Sequence, residues 1–392
     1  MLIEILSTVF IAISLYSLFY VLMVKRPISL KKPKVLPKVS VMTYAYISDW
    51  AGNVIKRKIE NFLDLNYPKD KYEIIVYDNG STGKTLEICK EYAKKGLIKH
   101  YRSSKGYNRK GMVLDDVIRY VAKGDIIALT DPDGICERDW LMKHVCSLMS
   151  SKKIGASVGM IYSGNWYKNL FTKMREIEDL WMIDITSLGR AMISNVQCIC
   201  GANYSIKREA WKDVGGHGKT LVEDAEMANR LQKNGWKIAV TDAGVWQEEV
   251  EDIHNFFIQR LRWYSTPVDF IFRKKNFISS LLTFGPWLIQ TTSLFSLVNF
   301  IFANNLTLRI FSLLPFLISF LAITIGLYKM KEENLIPLIP IYLTFDAIVS
   351  FACFMAARLL GILRREIRWV RLSNGRYYHN GTKIRINKRN IL

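Results

Sequence analysis

Hydropathy along this chain is segregated into blocks, and that constrains the fold more than any other feature. Residues 2–24, LIEILSTVFIAISLYSLFYVLMV, hold a single charge at Glu4. A run of that length spans a bilayer core of about 30 Å. Further apolar blocks lie at about 280–303, 309–328 and 335–357. Between them, residues 38–250 have the mixed composition of a water-soluble domain. The N-terminal run has neither a basic leader nor a small-residue cleavage site, so it reads as a retained anchor rather than a signal peptide. Lys25, Arg26, Lys31, Lys32, Lys34 and Lys38 follow it, which by the positive-inside rule makes this side cytoplasmic and points the N-terminus outward.

Charge and cysteine usage fit the same picture. The 392 residues include 55 Lys plus Arg against 35 Asp plus Glu, a formal net charge of +20, yet half of the chain is hydrophobic. That apolar content excludes a disordered chain. Much of the basic excess flanks apolar blocks, where membrane topology accounts for it, so no nucleic-acid partner is implied. The six cysteines show no disulfide or zinc spacing; Cys198 and Cys200 make only a C-x-C.

Within the soluble block, VSVMTYAY (39–46), YEIIVYDNG (72–80) and GDIIALTDPDG (124–134) are apolar runs ending in acidic or turn residues. Helical patterns at 52–64, 83–95 and 111–122 separate or follow them. Strand–helix alternation predicts an α/β domain with a mostly parallel sheet. Ligands of such sheets bind at the carboxyl ends of the strands, where this sequence sets Asp78, Asp131 and Asp133.

Four constellations bear chemistry. Asp131-Pro132-Asp133 puts two carboxylates on a turn, which suits a hard divalent cation, Mg²⁺ or Mn²⁺, that also holds phosphate oxygens; a capped turn is the plain structural alternative. Asp78-Asn79-Gly80-Ser81 suits the approach of a nucleotide, or simply caps the next helix. Glu223-Asp224 opens an amphipathic helix, where acids complement the dipole, and Asp224 can also serve as a general base. In Gln259-Arg260-Leu261-Arg262-Trp263, residues 259, 262 and 263 share one helical face, offering an amide, a guanidinium and an indole. Arg262 can bind a diphosphate in bidentate fashion.

Strand-DNGS, then D-P-D, then E-D, then Q-x-x-R-W, in that order and ahead of apolar spans, resembles the membrane-bound family 2 glycosyltransferases. These include the hyaluronan, chitin-oligosaccharide and cellulose synthases and the ceramide glucosyltransferases. The resemblance covers about 35–275 and implies a GT-A type, Rossmann-like nucleotide-sugar domain. It implies that Asp224 is the catalytic base and that Asp133 and Asp131 hold the metal. Tyr46, Asp78, Lys110, Asp131, Gln259 and Arg262 would bind the donor nucleotide sugar, with a UDP-sugar favoured. Trp263, Gly201 and Asn203 would lie on the acceptor side. The chain departs from the family at three points: Tyr44-Ala45-Tyr46-Ile47-Ser48 replaces the usual Pro-x-Tyr-Asn-Glu, Asn79 replaces a second acid, and Val222 replaces the usual Thr.

The resulting layout is an N-terminal transmembrane helix (1–24), a cytoplasmic catalytic domain (25–250), interfacial amphipathic helices carrying Q-x-x-R-W (251–278), C-terminal transmembrane helices (279–357) and a basic tail (358–392). Three C-terminal spans would leave that tail outside, against the positive-inside rule, so a re-entrant segment at Gly285-Pro286 is expected to return it to the cytoplasm. The expected reaction is inverting transfer from a nucleotide sugar to a growing polysaccharide or oligosaccharide, with transfer of one sugar to a membrane lipid as the alternative. A catalytically silent membrane scaffold is the third reading, opposed by the intact Asp131, Asp133, Asp224 and Arg262. Few spans are present to enclose a glycan, so a homo-oligomer or partner would supply the rest. A prokaryotic plasma membrane is the expected location.

Overall fold

The computed structural model describes residues 2–25, 30–45, 51–78, 80–102, 110–193, 197–218, 223–272 and 292–362. The strands are β1 (Val39–Ala45), β2 (Tyr72–Asp78), β3 (Lys99–Arg102), β4 (Ile126–Thr130), β5 (Ile135–Cys136), β6 (Ile154–Ser163), β7 (Asn203–Lys207) and β8 (Lys237–Gln247). They form one sheet in the order β3-β2-β1-β4-β7-β6-β8-β5. The first half is parallel: β1 pairs with β2 and β4, and β2 with β3. β7 then runs antiparallel between β4 and β6, while β6 and β8 are parallel.

Alternating side chains explain why the parallel half is covered on both faces. Val39, Val41, Ile74, Val76, Ile126 and Ala128 pack on one face, under α2 (Ala51–Leu63), α3 (Gly83–Lys94) and α5 (Trp140–Met149). Met42, Ile75, Tyr77, Ile127 and Leu129 pack on the other, under α4 (Lys110–Tyr120), α8 (Arg208–Asp213) and α9 (Glu223–Lys233). The sequence-predicted strands and helices fall within a few residues of these elements. The order β3-β2-β1-β4 reverses direction between β1 and β4, so a crevice opens past Ala45 and Thr130, the position where open α/β sheets bind ligands.

A third apolar cluster joins the domain to the membrane helices. α6 (Leu170–Asp179), a π-helical segment (Leu180–Ile185) and α7 (Thr186–Ile193) follow one another directly. Ile177, Trp181 and Ile185 pack with Val21 of α1 (Leu2–Met23), with Ile323 and Leu327 of α12 (Leu306–Met330), and with Tyr342 of α13 (Ile339–Ile362). α10 (Ile253–Phe272) bears the Q-R-L-R-W stretch.

Three helices are long and apolar enough to cross a membrane: Ile3–Met23, Leu306–Met330 and Glu333–Leu360. The second and third match the expected blocks at 309–328 and 335–357. The first expected C-terminal block is only partly described, as the short apolar helix α11 (Thr292–Phe302); Gly285-Pro286 and the basic tail from residue 363 lie outside the described residues. Ser7 meets Ser312 and Ser14 meets Ser319, both at 3.2 Å, and Lys329 Nζ donates to Val21 O at 2.9 Å. Numbering rises together along both helices, so α12 runs parallel to α1. Small hydroxyl residues one heptad apart let the two backbones approach closely.

Candidate active site

The D-P-D turn leaves β4 at the crevice. Gly134 N donates to Asp131 O at 3.2 Å and closes it. A buried lysine underpins it: Lys58 Nζ donates to Gly134 O at 2.5 Å and to Thr130 Oγ1 at 3.3 Å. Burial lowers the Lys58 pKa, opposed by Cys136, Asp133 and Asp131.

Lys110, at the start of α4, ties this turn to the segment before β7. Its Nζ donates to Asp131 Oδ1 at 2.7 Å and to Gly201 O at 3.4 Å, and lies 5.1 Å from the Tyr44 ring centroid. Gly201 N in turn donates to Asp224 Oδ2 at 2.6 Å, and Ala225 N donates to Asp224 Oδ1 at 2.8 Å. A side chain at 201 has no room, because a Cβ there would lie 2.8 Å from Asp224 Oδ2. Asp131, Lys110, Gly201 and Asp224, separated by up to 114 positions in sequence, therefore form one continuous polar chain.

Burial acts on two of the carboxyls in the same direction. Burial and the adjacent Asp131 push the Asp133 carboxyl up to about 7, with Glu248 and Glu249 adding to the effect. Burial raises the Asp224 carboxyl as well, against the backbone N–H of Ala225, the Lys110 charge and the N–H of Gly201. A base with a raised pKa and a half-buried carboxylate is suited to proton abstraction. Burial works against the Lys110 charge, but Asp131, Tyr77, Tyr44 and Glu223 hold its pKa well above the usual value.

The donor set of Asp131 and Asp133 fits a hard divalent cation, and the Lys110 ammonium already provides a positive charge beside Asp131. Among the described residues no third His, Cys, Asp or Glu completes a protein-only cage. The remaining ligands then fall to diphosphate oxygens and water, as is usual for Mg²⁺.

Other expected residues sit differently. Asp78 is fully buried, and its carboxylate already accepts from Gly80 N, Ser81 N, Ser81 Oγ, His100 Nε2 and Arg102 Nη1 at 2.6–3.4 Å. It organises the loop after β2 from within. Asn203 also faces inward: Oδ1 accepts from Trp140 Nε1 and His144 Nε2, while Nδ2 donates to Met160 O and Ala243 O. All four of its hydrogen-bonding positions are used, so it pins the acceptor-side segment and offers nothing to an acceptor. Tyr46 and the side chain of Arg262 lie outside the described residues.

Gln259 Oε1 accepts from Arg260 Nη1 at 3.0 Å, and the Arg260 guanidinium lies 4.1 Å from the Trp263 ring centroid. Arg260 pairs with Glu178, which also pairs with Arg175; Arg175 binds Asp179 Oδ1 at 2.8 Å and Glu249 Oε2 at 2.9 Å. No described contact joins α10 directly to the D-P-D turn. The link runs through Glu249, which follows β8. Sequence reasoning missed Lys58, Arg175 and Arg260. Nothing in their immediate sequence sets them apart from surface charges, since Arg57, Glu176 and Gln259 stand beside them.

Residues 40–215 match the family model described as Glycosyl transferase family 2. The probable glycosyltransferase YdaM of Bacillus subtilis is 25% identical over 384 residues, covering 89% of each chain. A beta-monoglucosyldiacylglycerol synthase of Nostoc is 29% identical over 237 residues, 58% of this chain; the matched part spans about half, 48%, of that longer protein. Among solved structures, a mannosyltransferase of Pyrobaculum calidifontis in complex with GDP-Man and Mn²⁺ superposes with a TM-score of 0.58 at 17% identity, over 93% of this chain and all of that one. The shared fold is that of GT-A glycosyltransferases.

Proposed function

We propose that this chain, a glycosyltransferase of family 2, moves one sugar from a nucleotide-sugar donor to the hydroxyl of a membrane lipid, with inversion at C1. The observation that carries the reading is the polar chain Asp131–Lys110–Gly201–Asp224, which joins a diphosphate-binding turn to a general base.

The acceptor hydroxyl loses its proton to Asp224 as its oxygen attacks C1 of the sugar. The bond from C1 to the diphosphate oxygen breaks in the same displacement, so the configuration inverts. Lys110 faces the negative charge that builds on the leaving group. A divalent cation held by Asp131 and Asp133, either Mg²⁺ or Mn²⁺, would add Lewis-acid stabilisation of that diphosphate. Gly201 N holds the Asp224 carboxylate in place, which lowers the orientational cost of the attack.

The similarity to a beta-monoglucosyldiacylglycerol synthase supports a lipid acceptor. Polymer or oligosaccharide extension is the second reading, supported by the Gln259-x-x-Arg262-Trp263 pattern on α10. In both readings the catalytic domain would face the cytoplasm, a placement that the basic residues after α1 support.

The test is a product assay on purified protein in nanodiscs, with labelled UDP-glucose, UDP-N-acetylglucosamine or GDP-mannose, Mn²⁺ and membrane lipid. Label in the organic phase supports lipid transfer; label only in a high-molecular-weight fraction that resists extraction overturns it in favour of polymer synthesis. Asp224→Asn is expected to cut turnover by about 10²–10⁴-fold while donor binding persists. Unchanged turnover in that variant removes the base assignment.

A further inference from the structure

The base does not stand on its own helix alone. Asp224 is the second residue of α9, and the turn that leads toward it, Gly215 to Gly218, is gripped from α4. Asp115 Oδ1 accepts from the His217 backbone N–H at 2.8 Å, from His217 Nδ1 at 2.8 Å and from Trp211 Nε1 at 3.1 Å. Asp115 Oδ2 accepts from Gly218 N at 3.2 Å. His217 is fully buried, and its Nε2 meets Tyr204 OH at 2.6 Å. The two ring nitrogens of His217 thus bridge Asp115 and Tyr204. Tyr204 lies on β7 opposite Leu129 of β4, two residues before Asp131.

The same turn is held from α9 itself. Arg230 donates to His217 O at 2.6 Å and to Val214 O. Gly215, Gly216 and Gly218 all adopt positive φ, of 75°, 85° and 92°, so the turn has a backbone shape that depends on glycine. At Gly111, on α4 beside Lys110, a Cβ would lie 2.6 Å from Gly218 O and 3.1 Å from the Glu223 Cβ. The first turn of α4 is thus pressed against the residues that introduce Asp224, and four residues on it bears the carboxylate that clamps them.

We propose that Asp115 and His217 are positioning residues for Asp224. Through them one short helix sets both sides of the reaction: Lys110 sits on the Asp131 side, and Asp115, five residues later, fixes the turn ahead of the base. Tyr204 ties that turn to the sheet next to the strand that ends at Asp131. The spacing between the donor-holding turn and the base is then set by rigid elements rather than by the connection between α8 and α9 alone. This inference rests on the reading of Asp224 as the base.

The experiment uses the full chain in nanodiscs with Mn²⁺ and its active donor sugar. Asp115→Ala, His217→Ala, His217→Asn and Asp224→Asn are compared by kcat, by acceptor KM, by donor affinity in calorimetry and by thermal midpoint. Asn at 217 retains a donor near the Nδ1 position but loses the contact with Tyr204. The expected result is a fall in kcat of at least tenfold for both alanine variants, with donor affinity within threefold of wild type and substantial recovery of kcat in His217→Asn. Wild-type kcat in folded Asp115→Ala and His217→Ala overturns the positioning role and leaves Asp224 untouched. A loss of donor affinity as large as the loss of kcat, or equal losses in His217→Asn and His217→Ala, also overturns it. Wild-type turnover in Asp224→Asn overturns the base reading first, and this inference with it.

Discussion

Metal affinity should depend steeply on pH through Asp133. Burial and the charge of Asp131 raise its carboxyl from 3.8 to about 7. Only the ionised carboxylate ligates a divalent cation, so metal and proton compete for it. With a pKa of about 7 the ionised fraction falls from about 0.9 at pH 8 to about 0.1 at pH 6, and the apparent affinity falls about tenfold, or ~1.4 kcal/mol. The same shift sets the sign of a stability effect. A carboxyl raised on folding contributes stability below about 3.8 that is lost as pH rises through about 7, so metal-free protein weakens over this window and Mn²⁺ reverses the loss. The assay is a Mn²⁺ titration followed by the paramagnetic signal of the free ion at pH 6, 7 and 8, without donor and at constant ionic strength. Equal affinity at pH 6 and pH 8, with Asp133→Asn still abolishing binding, would refute the reasoning, because the ligating carboxylate would then be ionised throughout.

Arg175→Met leaves Asp179 and Glu249 without their shared buried cation, and Glu178 with Arg260 alone, and should cost about 3–5 kcal/mol, read as a drop in thermal midpoint of roughly 10 °C; a drop below about 2 °C means that Arg260 balances the whole cluster. If α1 and α12 span a membrane, their parallel packing should set Asn304 on the side opposite the catalytic domain and Asn334 on the same side as it. In a background with Cys198 and Cys200 replaced by serine, an impermeant maleimide should label Asn304→Cys and Asn334→Cys from opposite faces of oriented vesicles; labelling of both from one face contradicts the packing.

Three strands of the parallel half, β1, β2 and β4, were legible because they are apolar runs bounded by turn or acidic residues; β3, Lys99–Arg102, was not, because its residues are polar and partly exposed. Ile126 to Thr130, a short apolar run followed by the D-P-D turn, fits a buried strand. The acids of the site were legible for the same reason: they follow strand ends. Direction was not legible. Asp78 and Asn203 occur at expected positions, yet both point into the protein and have their bonding capacity filled by partners up to 63 residues away. The clamp on the base was hidden because Asp115 reads as one more acid on an amphipathic helix. Only the 102 residues of chain that return His217 to it give it meaning. In Q-R-L-R-W the helical face containing 259, 262 and 263 drew the eye, whereas Arg260, on the neighbouring face, makes the described ion pair.

That ion pair bears on how a membrane acceptor is presented. α10 could have docked on the catalytic domain through apolar contacts alone, and such contacts tolerate sliding. Instead Arg260 meets Glu178 on α6, and Arg175 on the same helix meets Glu249, two residues past the end of β8. Phe256 and Trp263 pack under both guanidinium groups. A shift of α10 by one helical turn would leave the buried Arg260 guanidinium without Glu178, at a cost of several kcal/mol. The helix therefore has one register against the sheet that ends in the D-P-D turn. A fixed register suits transfer to an acceptor hydroxyl held at one depth in the bilayer, because the attacking oxygen must reach C1 in line with the leaving group. The charges at this junction add little net stability, but they fix how α10 lies against α6.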